Sequence, residues 1–441
     1  MRFWALALAC LCAILPTTGS TQTKTASSSG DHANTQRDEL RYIVYLSRHG
    51  VRSPTGKAAQ YNLYSSGLWP DWSVPPGYLT PHGFHLMELF GGFDRMQLAT
   101  QGLLQSTGCA EASKLIIYAD SDERTRETGK AIAQGLMPGC NLPVKSQPEG
   151  ANDPLFHPLG DATAQTDPAL AKGAIAGRIG DDPGNLTQAY RLQIAALDQV
   201  LSTCGTPPAS KPKRISLFDI PATLSEGTGD HVADLKGPLN TASTLSENLL
   251  LEYAEGMDGA RVGWGCVHRS EIESMMALHE AATDFTQRTP EIARAQASNL
   301  LNHIRLSIQQ VADQRSIPGA IGNPSDRALF LIGHDTNQEN IAGLLNLTWI
   351  IDGRRDDTPP GGALIFELWQ NGVNGQYSVR TYFTAQTLDQ MRTSTPLTLS
   401  NPPQRVPIFI PGCSEADMSC ALGSFLHLLQ QTADQRVFVQ K

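Results

Sequence analysis

The chain has 441 residues, enough for a sizeable core or two domains. Charged residues are 17% and hydrophobic residues 40%, a globular composition that excludes wholesale disorder. The net charge of −9 excludes general nucleic-acid binding, which needs a basic face, so an anionic ligand has to be met by a local cluster of arginines.

In chain order, Arg2 opens a short apolar run, "FWALALACLCAIL" (Phe3 to Leu15), followed by the small polar "TTGS". This reads as a secretory signal over residues 1–20. The run is shorter than the roughly 20 apolar residues of a membrane span, and no later run is long enough, so no membrane anchor is expected. Cys10 and Cys12 lie inside the run rather than at its end, which argues against a lipid anchor. A Ser/Thr/Gly-rich leader continues to about Asp38.

The first strand candidate is "YIVYLS" (Tyr42 to Ser47), ending at Arg48 and His49. "KLIIYAD" (Lys114 to Asp120) is the second, followed by "SDERTR". Residues 165–287 read mainly as helices and loops, with one strand-like run, "RISLF", and a helix at "SENLLLEYAEGM" (Ser246 to Met257). A longer helix follows over Thr289 to Gln314, with Thr289 as N-cap and Pro290 at the first helical position. "ALFLIG" (Ala328 to Gly333) is the third strand, ending at His334 and Asp335.

Near-continuous apolar strands belong inside an α/β sheet covered on both faces. Ligands of such sheets bind beyond the carboxyl ends of the strands, where all three charged clusters fall. The expected fold is therefore α/β, with a mixed, mainly parallel sheet flanked by helices. Residues 39–164 and 288–441 would form the catalytic α/β domain, and 165–287 a largely helical insertion domain.

Six cysteines follow the signal: Cys109, Cys140, Cys204, Cys266, Cys413 and Cys420. An even number in an exported chain points to disulfides. Cys413 and Cys420 close a small loop and are expected to pair. No spacing resembles a zinc motif, and no Asp/His cluster stands at metal spacing.

Arg48, His49 and Arg52 fall within five residues. Such a cluster can be a surface salt-bridge patch. Its position after a buried-type strand, with Gly50 leaving the backbone room to approach a ligand, favours a site instead. Neighbouring guanidinium groups disfavour the imidazolium, and a neutral histidine beside them suits attack on an anion. His334 and Asp335 open a second strand end, where Asp335 alone would serve as a helix N-cap.

"RHGVRSPT" with "GHDTN" (Gly333 to Asn337) resembles the histidine acid phosphatases, a branch of the histidine phosphatase superfamily. "DERTRETG", "DPLFHPL", "GWG" and "DTPPGGALIFE" extend the likeness to the periplasmic bacterial phytases, and "FTAQTLDQMR" and "TPLTLSNPP" carry it toward the C-terminus. The resemblance implies that His49 is the nucleophile, carrying the phosphoryl group as phosphohistidine. Arg48, Arg52, Arg124 and His334 would surround the phosphate oxygens, and Asp335 would protonate the leaving alcohol and then activate water. Arginine forks supply positioning and charge without a metal, so no cofactor is expected. The acid role needs Asp335 protonated, and burial is expected to raise its pKa, which places activity at acidic pH. Arg126 is expected to face outward.

The resemblance also places Thr55 at the pocket rim and matches Glu247 to a pocket glutamate, whose alternative reading is a solvated helix residue. It pairs Cys109 with Cys140 and Cys413 with Cys420, leaving Cys204 and Cys266 to each other. The phytases carry a lysine directly after Pro-Thr, where Gly56 intervenes here before Lys57, and a methionine where this chain has Thr244. Glucose-1-phosphatases replace the Gly-Val of "RHGVR", which this chain keeps. The expected protein is a monomeric periplasmic or secreted phosphomonoesterase acting on phytate or a sugar phosphate. A phosphoryl-transfer mutase, a metal-dependent phosphatase and a non-catalytic phosphate-binding protein are the rivals.

Overall fold

A computed structural model describes residues 38–160, 166–229 and 231–438. The signal and leader readings lie outside these residues. The strands in chain order are β1 (Glu39–Arg48), β2 (Leu115–Ala119), β3 (Val144–Lys145), β4 (Thr223–Glu226), β5 (Ala233–Lys236) and β6 (Ala328–Gly333), then β7 (Ile350–Ile351), β8 (Arg354–Arg355), β9 (Ala363–Gln370), β10 (Tyr377–Ala385), β11 (Gln404–Ile408) and β12 (Ser419–Ala421). Eight of them form one sheet in the order β11-β10-β9-β1-β6-β2-β3, with β12 beside β10. The pairs β1–β6, β6–β2 and β2–β3 are parallel. The other half, from β1 through β9 to β10 and its two partners, is antiparallel. The α/β expectation holds, and the sheet is mixed.

The three strands read from sequence are neighbours at the sheet centre. Arg48 pairs in register with Gly333, and Ala119 with Ile332, so the three charged clusters share one sheet edge. Burial on both faces explains why they read as continuous apolar runs. Val44, Leu46, Leu329 and Leu331 pack on one face under helices Pro290–Ala312, Asp335–Leu345 and Leu422–Thr432. Ile43, Tyr45, Phe330 and Ile332 alternate onto the other face, under helices Pro81–Thr100 and Glu123–Leu136.

A further core gathers the helices between residues 168 and 286, among them Pro238–Ala254 and Arg269–Thr286. Two local readings fail here. "RISLF" forms no strand: Ser216 caps a 3-10 turn at Leu217–Asp219, and the Leu217 N–H donates to Asp198 at 2.9 Å. Leu217 is fully buried, so the apolar signal was a core anchor, not a sheet partner. The hairpin β4–β5 was not foreseen. The helix expected from Ser246 begins at Pro238, behind Gly237, whose φ of 146° suits glycine alone. Cys109–Cys140, Cys204–Cys266 and Cys413–Cys420 are all bridged, with Cα separations of 5.5, 6.2 and 5.3 Å.

Candidate active site

His49 lies just past the end of β1 and is pinned by its backbone on both sides. Its N–H donates to Gly333 O at 3.0 Å, and its carbonyl accepts from Gly361 N–H at 2.9 Å. The ring Nδ1 sits 2.9 Å from Gly50 O. A carbonyl only accepts, so Nδ1 carries the proton and Nε2 keeps its lone pair. Burial, then the charges of Arg124, Arg52 and Arg48, hold the His49 pKa well below its ordinary value. These surroundings favour the neutral imidazole expected from the arginine-flanked sequence. Gly50 has a different reason to be glycine: a Cβ there would meet Met87 Cγ at 2.8 Å and Gly83 O at 3.1 Å. It lets this strand end pack against the helix Pro81–Thr100.

The guanidinium groups of Arg48 and Arg52 are oriented by protein acceptors. Arg48 Nη1 donates to Thr358 O at 2.7 Å, and its Nη2 reaches Asp335 Oδ2 at 2.8 Å. Arg52 Nη1 donates to Ser53 O at 3.1 Å. Arg124 comes from the first turn of the helix Glu123–Leu136, where helix-terminal N–H groups also favour anions. It contacts Asp122 at 2.5 Å and His334 Nδ1 at 3.4 Å. The Nε atoms of Arg48, Arg52 and Arg124 are buried without a hydrogen-bond partner among the described residues. Arg126 pairs with Glu149 instead.

His334 is the N-cap of the helix Asp335–Leu345, and Asp335 occupies its first turn. His334 Nε2 lies 2.6 Å from Asp120 Oδ2, and the His49 and His334 rings are 5.7 Å apart at 69°. Burial and Arg124 push the His334 imidazole below its ordinary value, against the pull of Asp120.

Asp335 corrects an expectation. Burial does act to raise its pKa, but Arg48, His279 and Arg52 outweigh it and hold the carboxyl well below the usual range. Asp335 is thus held as a carboxylate, a counter-ion of Arg48. Glu247 behaves alike: it reaches Arg48 Nη2 and, at 3.1 Å, Arg52 Nη2. These two arginines hold its pKa low despite burial. Its solvated-helix alternative is thereby excluded. Thr55 is exposed, and its Cγ2 and Arg124 Nη1 both lie close to Gly77. Lys57 is exposed and lines a neighbouring cavity of about 330 Å³ with Tyr61, Trp69 and Trp72.

Three residues escaped the sequence reading. His279 is buried on the helix Arg269–Thr286, bonded to Ser243 Oγ at 3.0 Å, and is among the groups that lower the pKa of Asp335 and Glu247. Asp120 and His157 join His334 in a cluster whose ligand-type atoms all lie within 4.8 Å of one another. The expected lack of an Asp/His cluster is corrected here, because β2, the 153–160 turn and the β6 end bring together residues distant in sequence.

A family model described as histidine phosphatase superfamily (branch 2) matches residues 39–214 and 223–384. The chain belongs to this superfamily branch. Among relatives, "Phytase AppA" of Escherichia coli is 36% identical over 401 residues, covering 89% of this chain and 92% of that protein. A glucose-1-phosphatase of Salmonella typhimurium is 28% identical, covering 90% and 93%. Among solved structures, Hafnia alvei phytase in complex with myo-inositol hexakis sulphate has a TM-score of 0.82 at 35% identity, covering 91% of this chain and 99% of that one. A phytase from Citrobacter braakii reaches 0.83 at 34% identity, covering 92% and 100%.

Proposed function

We propose that this member of the histidine phosphatases is an exported acid phosphatase that works through a phosphohistidine on His49, with phytate as its substrate. That it is a phosphoric monoester hydrolase follows from the family and from the relatives over nearly the whole chain. The observation that carries the mechanism is a neutral imidazole with Nδ1 tied to Gly50 O, ringed by guanidinium groups.

His49 Nε2 attacks phosphorus, the ester P–O bond breaks, and the leaving oxygen takes a proton from Asp335. Water then gives a proton to Asp335 and its oxygen attacks phosphorus. The P–N bond breaks and the lone pair returns to Nε2. Arg48, Arg52 and Arg124 hold the phosphate oxygens throughout, joined by His334 through Nδ1 when that nitrogen carries a proton, with Thr55 and Lys57 at the rim and Glu247 toward the substrate body. Splitting the displacement through a covalent intermediate eases each half.

The acid-pH condition moves from the aspartate to the substrate. A phosphomonoester loses its second proton near pH 6, so at lower pH it arrives as a monoanion carrying one proton. Its remaining charge offsets the arginines that hold Asp335 ionised, and its proton passes to Asp335. The pair then has the protonation that protonating the leaving group requires.

The phytase reading rests on the phytase relatives and on the retained Gly50-Val51. The glucose-1-phosphatase relatives, with Gly56 and Thr244, favour the second reading of a sugar-phosphate or broad-specificity phosphatase. A phosphate-release panel of phytate, glucose 1-phosphate and an aryl phosphate decides between them. The phytase reading expects the highest kcat/KM on phytate, and a preference for glucose 1-phosphate would replace it. Because arginines supply the positive charge, activity should survive dialysis against EDTA. A loss restored specifically by zinc or magnesium would overturn the metal-free mechanism.

A further inference from the structure

We propose that Asp120, His157 and His334 form a binding site for a divalent transition ion of the zinc class, placed directly behind the phosphate cradle. Asp120 Oδ2 lies 2.9 Å from His157 Nε2 and 2.6 Å from His334 Nε2. Three donor atoms of one carboxylate and two imidazoles thus converge. Zinc takes this donor set with bonds of about 2.0–2.2 Å and an open fourth position. The carboxylate holds a second, independent feature: Asp120 is buried, and its Oδ1 accepts no hydrogen bond among the described residues. That oxygen gives the carboxylate unused ligand capacity. Asp122 adds charge, its Oδ2 standing 3.8 Å from His334 Nε2.

The charge balance is mixed. Arg124 faces His334 Nδ1 from the cradle side and is itself paired with Asp122 at 2.5 Å, while Asp120 stands at His334 Nε2. An entry route exists away from the arginines. His157 is one-third exposed and lines a cavity of about 200 Å³ with His231. Two imidazoles with one carboxylate favour zinc or copper over calcium or magnesium, which prefer all-oxygen shells.

The consequence rests on the phosphatase reading. An ion on Nε2 displaces the proton now shared with Asp120, so a neutral His334 carries its proton on Nδ1. That nitrogen lies on the Arg124 side, where it becomes a fixed donor to a phosphate oxygen. Ion and orthophosphate should therefore strengthen each other's binding, as linkage requires.

Calorimetric titration of Zn²⁺ into the whole protein, with thermal melting as the check of folding, tests the site. The wild type should bind one ion and melt higher with it, because the ion binds only the folded state. His157→Asn and His157→Gln, two variants that guard against a folding defect in either, should bind about tenfold more weakly or worse. Equal affinity in the wild type and both folded variants, or no binding in the wild type, would overturn the site. With p-nitrophenyl phosphate as substrate, zinc should lower the inhibition constant of orthophosphate in the wild type alone. An unchanged constant would overturn the linkage. Failure of the metal-free enzyme to hydrolyse that substrate would instead sink the phosphatase reading, with calorimetry still deciding the site.

Discussion

Two glutamates on one helix, Pro238–Ala254, show how differently two neighbouring regions of this molecule hold charge. Glu247 faces the cradle, where Arg52 and Arg48 keep it ionised against burial. Glu252 lies five residues on, in the core of the helices, accepting Gly263 N–H at 2.9 Å, and burial pushes its pKa up to about 8. The cradle is a concentration of opposed charges fixed for chemistry. The helical core stores its stability in burial and neutralises the acids it cannot pair. Damage to the first region should therefore be kinetic, and damage to the second thermodynamic.

The largest effect should come from the strand edge. His49→Ala removes the nucleophile and should lower kcat by about 10⁴-fold or more, with the melting temperature little changed. Acid quenching of wild type during turnover should show phosphohistidine at His49. Phosphate on a serine, or a mutant that keeps its activity, would break the division at its root.

Next is Asp335→Asn, which keeps the shape but cannot donate the proton. The loss should be on the order of 10²–10⁴-fold for alkyl phosphates in single-turnover phosphorylation. It should be smaller for nitrophenyl phosphate, whose phenolate leaves unaided. Equal losses would make Asp335 only a helix-end counter-ion of Arg48.

Replacing both Cys204 and Cys266 by serine probes the helical side. The bridge spans 62 residues, and loop-closure entropy gives it roughly 4 kcal/mol, against roughly 2.4 for the seven-residue Cys413–Cys420 separation. Denaturant unfolding should show that ranking with kcat/KM unchanged. A kinetic loss with intact stability would reverse the assignment of roles.

The smallest effect is in the pH dependence of stability. Asp94, Glu252 and Glu339 are each raised to about 8 by burial. Their protonated forms cost nothing extra at low pH, so stability is full below about pH 4 and falls as pH rises toward 8. Asp335 and Glu247 are lowered, so their contribution is present above about pH 4 and lost below it. The melting temperature should therefore peak near pH 4–5. Glu252→Gln should shrink the fall between pH 5 and 8 by about 2 °C or more. A variant with the wild-type slope would show that Glu252 is not held neutral.

The strand edge was legible because β1, β2 and β6 are buried on both faces, which prints as uninterrupted apolar residues ending in charge. Hairpin β4–β5 was not legible, because β4 is largely exposed and carries no apolar alternation. Arg48, His49, Arg52, His334 and Asp335 announced themselves as dense motifs. Glu247 was reachable only through family resemblance, since one glutamate on a helix looks like any other. Asp120 and His157 stood inside the quoted "KLIIYAD" and "DPLFHPL" without a readable role, and His279 left no trace, because a histidine or aspartate of this kind is recognisable only by the neighbours that folding brings to it. The protonation of Asp335 was misjudged for the same reason: burial shows in sequence, but the guanidinium 2.8 Å away does not.

The short contact between His49 Nδ1 and Gly50 O reaches beyond the first attack. It is made on the side of the ring away from Nε2, so in the proposed mechanism it can persist before phosphorylation, in the phosphoenzyme and after hydrolysis. On that mechanism the ring needs neither a flip nor a change of tautomer between half-reactions. A carrier that finished its first step in a new orientation would have to be reset before accepting another substrate. On the proposed mechanism the end state is the starting state, and the cycle closes without a recovery step at His49.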